Sequence, residues 1–174
     1  KIHQNEGLTM AHITSLTRQR LFALLRLALT ESEYSRTLFE KMSDSKWQDV
    51  YNAALEQGVL AFTYDGIRAL DEEQQPDLEI KVQWAYNVSY IEKLSAKQLA
   101  TAQKVVDTFA KEGIKTLILK GLSLATLYPV PNHRQSGDID LYLMGDFERG
   151  NELMTTLGTE VKYDYFVHSE FTVD

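Results

Sequence analysis

Apolar residues in the first two thirds of the chain recur at three- and four-residue intervals, the spacing of one helix face. From Thr9 to Leu29 the recurring positions are Ile13, Leu16, Leu21, Leu24, Leu25 and Ala28. Thr30, Ser32 and Ser35 punctuate this stretch, and Leu38-Phe39 begins a second, short helical piece. Ser45 suits the N-cap of a helix carrying Trp47, Val50, Tyr51, Ala54 and Leu55, and Gly58 ends it. Val59 to Leu70 reads as one more helix, followed by a polar, acidic connector from Asp71 to Gln75. Pro76 suits a first helical turn and Gly113 a helix stop. Between them Ile80, Trp84, Val88, Ile91, Leu99, Ala102, Val106 and Phe109 keep a period of about 3.6. So long a span predicts two helices meeting near Ser95.

The pattern then changes. Leu117-Ile118-Leu119 is too short for a helix, is bounded by Gly121, and predicts a buried strand. Ser123 to Tyr128 predicts a helical turn or two, and Pro129, Pro131 and Gly137 punctuate the loop that follows. Asp138 to Leu143 alternates as a strand does. Gly145-Asp146 opens a helix through Phe147, Leu153, Met154 and Leu157 that Gly158 ends, and Val161–Val167 and Phe171–Val173 read as strands. There is no internal repeat and no low-complexity tract. The expected organisation is an all-helical region over residues 1–95 and a small α/β core over residues 96–174, in which helix, strand, helix and strand follow in turn.

Composition narrows the class. At 174 residues, 44% hydrophobic and 25% charged, the chain can bury one sizeable core with a helical appendage. Without cysteine it has neither disulfides nor thiolate zinc sites, which fits a reducing cytoplasm. The apolar Leu21–Leu29 stretch contains Arg26 and is far short of a membrane span; Arg18, Arg20 and Arg26 sit too deep for a secretory leader. A cytoplasmic protein, with no membrane partner, is the expectation. The chain starts at Lys1-Ile2-His3 and stops inside a strand-like run at Asp174, as a piece of a longer protein would, and site residues could then lie outside it.

Charge is unevenly spread. Asp138–Asp174 holds nine acidic residues against Arg149 and Lys162, so the whole net charge of −7 falls there. Backbone phosphates of long nucleic acids are bound by clustered Lys and Arg, so a long polyanion is an unfavoured partner. A nucleotide carried in with magnesium is not. In a strand, side chains two apart share a face, which would set Asp138 beside Asp140 with Ile139, Leu141 and Leu143 opposite. Two carboxylates that close repel unless a cation lies between them, and a divalent metal is the simplest resolution. The plain alternative is a strand edge with solvated acids.

Leu119-Lys120-Gly121, Tyr128-Pro129, Arg134 and Gly137-Asp138-Ile139-Asp140-Leu141 together resemble a bacterial group of uncharacterised nucleotidyltransferases. That group lies within the superfamily related to DNA polymerase beta. The resemblance covers about Lys115 to Leu143, and a Lys-Gly turn stands where the wider superfamily has Gly-Ser. It implies a polymerase-beta-like α+β core, a small mixed sheet flanked by helices, behind the N-terminal helical region. It implies Asp138 and Asp140 as catalytic ligands of Mg2+ or Mn2+, and a nucleoside triphosphate such as ATP as donor. It also implies a third carboxylate from a later strand, for which Asp164, Glu170, Asp174 or a residue beyond the chain end are the candidates.

The phosphate-binding candidates are Lys120, Gly121, Ser123, Arg134, Ser136 and Gly137. Glycine lets backbone N–H groups approach a phosphate, Lys120 offers a point charge, and Arg134 a planar fork. The rival readings are a capping serine at 123, a surface lysine at 120 and a structural salt bridge at Arg134. Ser136 and Gly137 are expected to shape the turn. His168 is read as structural, and His3, His12 and His133 lack metal-ligand spacing. The leading expectation is metal-dependent transfer of a nucleoside monophosphate to a small-molecule or protein hydroxyl. The alternatives are a non-catalytic nucleotide- or partner-binding protein of the same fold, antitoxin-like for example, or a helical interaction module. For the N-terminal helices the resemblance implies that they present the acceptor; the plain alternative is a lid, or a region that joins copies into a homo-oligomer.

Overall fold

The computed structural model describes residues 13–30, 34, 36–164 and 168–173. Thr9 to His12, Ser32, Ser35, Tyr165 to Val167 and Asp174 lie outside them. The chain divides into two compact units, Lys1–Glu92 and Lys93–Asp174.

The first unit is helical. Helix α1, Ser15–Thr30, starts where Thr14 Oγ1 accepts the Thr17 N–H at 3.1 Å, so a side-chain cap rather than hydrophobic spacing sets its first residue. Its buried side carries Leu21, Leu24 and Leu27, while Leu16 is exposed, against the sequence expectation. Arg20 is buried on the same side and its Nε donates to the Leu38 carbonyl at 2.8 Å. Burial pulls the Arg20 guanidinium below its ordinary range, and the charge of Asp49 works against that shift.

Helix α2 spans Asp44–Glu56 with Ser43, not Ser45, in the N-cap position and without a side-chain capping bond. The Ser43 carbonyl already accepts the N–H groups of Lys46 and Trp47, and the two serine hydroxyls bond each other at 3.0 Å. Helix α3 follows at Leu60–Arg68. Phe39 stacks on Trp47 with ring centroids 5.9 Å apart, and Tyr51 meets Trp84 edge-on at 5.1 Å. The Trp84 indole N–H donates to the Leu60 carbonyl at 3.0 Å, which lets so large a polar-tipped ring be fully buried.

Helix α4, Leu78–Lys111, is one continuous helix through Ser95 and not two. Ile80, Trp84, Val88, Ile91, Ala102, Val105 and Phe109 are buried along it. Leu99 is exposed and Val105 replaces Val106 as the buried valine, a one-residue drift that an averaged period cannot resolve. Leu78, Val82, Tyr86, Tyr90 and Leu94 are exposed at every fourth position.

In the second unit α4 ends in a paired turn: Gly113 N–H bonds the Ala110 carbonyl, and Ile114 N–H bonds that of Phe109 at 3.0 Å. Gly113 has φ +73°, which glycine adopts without cost, and Ile114 drops back onto Phe109 in the core. The chain then enters β1, Leu117–Leu119, which pairs antiparallel with β2, Asp140–Tyr142, in the register Leu117↔Tyr142, Ile118↔Leu141, Leu119↔Asp140. Between them lies the five-residue helix α5, Gly121–Ala125. Helix α6, Phe147–Thr156, leads to a second antiparallel pair, β3 (Val161–Asp164) and β4 (His168–Phe171).

The fold is therefore a helix-rich α+β arrangement with two small antiparallel sheets among the described residues, where a single mixed sheet was expected. Nor is β1 buried: Leu117 is 51% exposed and Ile118 and Leu119 are half-buried. The core of this unit is instead Val105, Phe109, Ile114 and Met154, with Leu141, Leu143, Leu153, Val161 and Phe171 against it. Among the described residues no helix is long and apolar enough to cross a membrane.

Candidate active site

The β1–α5 corner is built on Lys120, whose backbone has φ 46° and ψ −118°, a conformation that glycine holds freely and other residues rarely adopt. Such a residue costs on the order of 1–3 kcal/mol and persists only where its neighbours determine it. Here Leu119 is held in register opposite Asp140, and Gly121 is buried under the loop that returns to β2. A Cβ on Gly121 would overlap Ser136 Oγ and lie 3.5 Å from the Asp138 carbonyl oxygen. Glycine at 121 thus makes room for the chain's own loop.

Lys120 Nζ lies 3.2 Å from Asp140 Oδ1, with the lysine side chain 73% exposed and the aspartate side chain 23%. A pair so open contributes about 0.2–1 kcal/mol to stability. Lys120 is therefore not a lone surface lysine: its charge is turned toward the carboxylate on the neighbouring strand.

The loop before β2 is tied down at several points. Arg134 Nη1 donates to the Gly121 carbonyl at 3.0 Å, a backbone contact where a phosphate or an acidic side chain was expected. Ser136 Oγ donates to the Asp138 carbonyl at 3.2 Å. From α4, Gln98 Nε2 donates to the Asp138 carbonyl at 3.1 Å and to that of Ser136 at 3.4 Å. These bonds hold the returning chain beside the point where it left β1. Nothing in the sequence marked Gln98: it is one polar residue on a long helix, brought to the loop only by folding.

Other candidates are placed differently from expectation. β2 begins at Asp140, so Asp138 lies outside the strand and the two-residue alternation does not govern it. Asp138 is exposed. The reason is local: its carbonyl is taken by Gln98 and Ser136 and enters no strand ladder. Ser123 is exposed inside α5 and does not cap it, since the helix starts two residues earlier, after Lys120. Gly137 is exposed, and a Cβ there would meet nothing within 4 Å, so no close approach requires glycine. Glu170 is exposed on β4, opposite Lys162 in register; the side chains of Asp164 and Asp174 lie outside the described residues. Among the described residues no group of three or more His, Cys, Asp or Glu is placed to hold a metal ion.

The arrangement sets an ammonium, a guanidinium and two carboxylate-bearing residues, Asp138 and Asp140, around one strained turn. Charges of these kinds bind phosphates and divalent cations in proteins. The sequence model of a family described as an uncharacterised nucleotidyltransferase matches residues 43–173. No curated protein and no solved structure matches the chain.

Proposed function

Because this chain belongs to the uncharacterised nucleotidyltransferase family, we propose that it moves a nucleoside monophosphate from a nucleoside triphosphate to a hydroxyl of a small molecule or a protein. The acceptor oxygen attacks the α-phosphorus, the bond to the β-bridging oxygen breaks, and pyrophosphate leaves as the hydroxyl proton is lost. The observation that carries the reading is the meeting of Lys120 and Asp140 at 3.2 Å on the turn beneath the Asp138 loop.

Asp140 and Asp138 are assigned to a divalent cation, Mg2+ or Mn2+. Asp140 already holds an ammonium, so a positive charge is stable at that oxygen. Magnesium binds through one or two carboxylates plus substrate phosphates and water, which suits a corner with two acids better than it suits a dedicated cage. When bound, such an ion would draw charge from the attacking and leaving oxygens. Lys120 and Arg134 face the triphosphate in this reading, with Gly121, Ser123, Ser136 and Gly137 around it. Residues 96–174 form the transferase core in this reading. The acidic balance of Asp138–Asp174 favours a short, metal-borne phosphate over a long nucleic acid.

The direct test is calorimetric titration with each of the four nucleoside triphosphates, with and without Mg2+, followed by pyrophosphate release on addition of extract fractions. Metal-dependent binding of at least one nucleotide is expected. Failure of all four with either Mg2+ or Mn2+ would overturn the reading, and binding without pyrophosphate release would leave a nucleotide-binding protein.

Lys120→Met separates the two roles of the corner. Removing the ammonium should weaken triphosphate binding about tenfold, the loss of one charge-assisted contact. The same change should tighten Mn2+ binding in the absence of nucleotide, because Asp140 loses its competing cation. Electron paramagnetic resonance of Mn2+ and calorimetry of the nucleotide would read the two effects. Shifts of the same sign would show that Lys120 does not stand between the acid and the phosphates.

A further inference from the structure

We propose that Gln98 is a positioning residue for this corner: its side-chain amide fixes the 136–138 loop, and through it the direction of Asp138. The inference rests on the reading of Asp138 as a metal ligand.

Asp138 needs an external constraint. β2 begins two residues later, so no strand ladder holds it, and Gly137 beside it is exposed with nothing packed within 4 Å of a Cβ position. A carbonyl oxygen has two lone pairs. That of Asp138 accepts Gln98 Nε2 at 3.1 Å and Ser136 Oγ at 3.2 Å, and Gln98 Nε2 also reaches the Ser136 carbonyl at 3.4 Å. Two carbonyls of one loop converge on one amide nitrogen, which restrains the peptide plane following Asp138 and the path leading into it. The nitrogen comes from a rigid source. Gln98 is half-buried on α4, one turn before Ala102 and two before Val105, both buried. A metal ligand must be held within roughly 0.5 Å and 10–20° of its working direction by groups that do not themselves touch the ion. Gln98 has the geometry of such a group and makes no direct claim on the substrate.

Three variants test this in the whole chain. Gln98→Leu keeps the bulk and removes the donor; Gln98→Glu keeps the shape but turns a carboxylate oxygen toward two carbonyls. Gln98→His, assayed at pH 8, returns an N–H at nearly the same reach. Amide hydrogen exchange over residues 136–139 reads the loop, and Mn2+ binding in the absence of nucleotide reads the acid.

Leu and Glu should both speed exchange in the loop. Leu should weaken Mn2+ about tenfold, the low end of what losing a ligand-orienting partner costs, and His should recover most of the loss; Glu, which brings a negative charge of its own, is read by exchange alone. Metal-free nucleotide affinity should fall less than Mn2+ affinity, since Lys120 and Arg134 are held by Asp140 and the Gly121 carbonyl instead. Unchanged exchange in Gln98→Leu would overturn the proposal, as would faster exchange with parental Mn2+ affinity. If the parent protein binds no Mn2+ at all, the metal reading of Asp138 fails first and takes this inference with it. That result is distinct from a Gln98 variant behaving like its parent.

Discussion

Replacing Asp138 and Asp140 together by alanine should abolish metal-dependent nucleotide binding and lower nucleotidyl transfer by about a thousandfold or more. A catalytic metal supplies several kcal/mol of transition-state stabilisation, and each 1.4 kcal/mol or so is a factor of ten in rate. The fold should survive, because Asp138 is exposed and Asp140 is only half-buried, paired with an exposed lysine. The melting temperature should therefore move by no more than a few degrees. Triphosphate binding without metal should hold steady or strengthen, since Lys120 is released from its carboxylate and its charge becomes available to phosphate. Calorimetry with and without Mg2+, alongside thermal unfolding, separates these effects. Retention of metal-dependent binding by a well-folded double variant would move the site elsewhere in the chain.

The second large effect concerns the helical unit. Gly66→Ala should destabilise it by about 3 kcal/mol or more, the upper range for forcing atoms into a closed core. A Cβ at Gly66 would overlap the Leu24 carbonyl oxygen and lie 2.7 Å from Leu24 C and 2.8 Å from its Cα. All three are backbone atoms of α1, so no rotamer change relieves the overlap, and α1 itself must move. Leu24 is fully buried, as are Leu60 and Ile67 on α3, so that movement opens the core. The sign is opposite to that of glycine-to-alanine in an exposed helix, which gains about 1 kcal/mol. Denaturant unfolding of the variant measures the loss, with Gly137→Ala as a control expected to be near neutral because its Cβ would meet nothing within 4 Å. A Gly66→Ala protein as stable as its parent would mean that α1 and α3 do not cross this closely.

Much of the secondary structure could be read one residue at a time. Helices α2, α3 and α6 lie where spacing and punctuation put them, and Gly58, Gly113 and Gly158 all follow helix ends at positive φ. Such signals are local: a turn residue acts on its own dihedrals, and a helix face on neighbours three and four away. The errors share a cause. Whether Ser43 or Ser45 takes the N-cap position of α2, or Val105 or Val106 is buried, turns on a shift of one or two residues that averaged periodicity does not feel. Usual helix length argues for a break in α4, yet Ser95 is not a strong stop signal and the helix runs through it.

The site divides in the same way. Leu119-Lys120-Gly121 and the Gly137–Asp140 segment identified the family from residue order alone, because a family's turn and strand chemistry is written in consecutive positions. Folding decided what those residues touch: Lys120 faces Asp140, Arg134 holds a carbonyl of its own chain, Gly121 makes space for Ser136, and Gln98 reaches the loop from 38 residues upstream. The alternation that seemed to align Asp138 with Asp140 lapsed because the strand begins at the second of them. Contacts between residues far apart in sequence depend on how the whole chain closes on itself, and no local pattern encodes that closure.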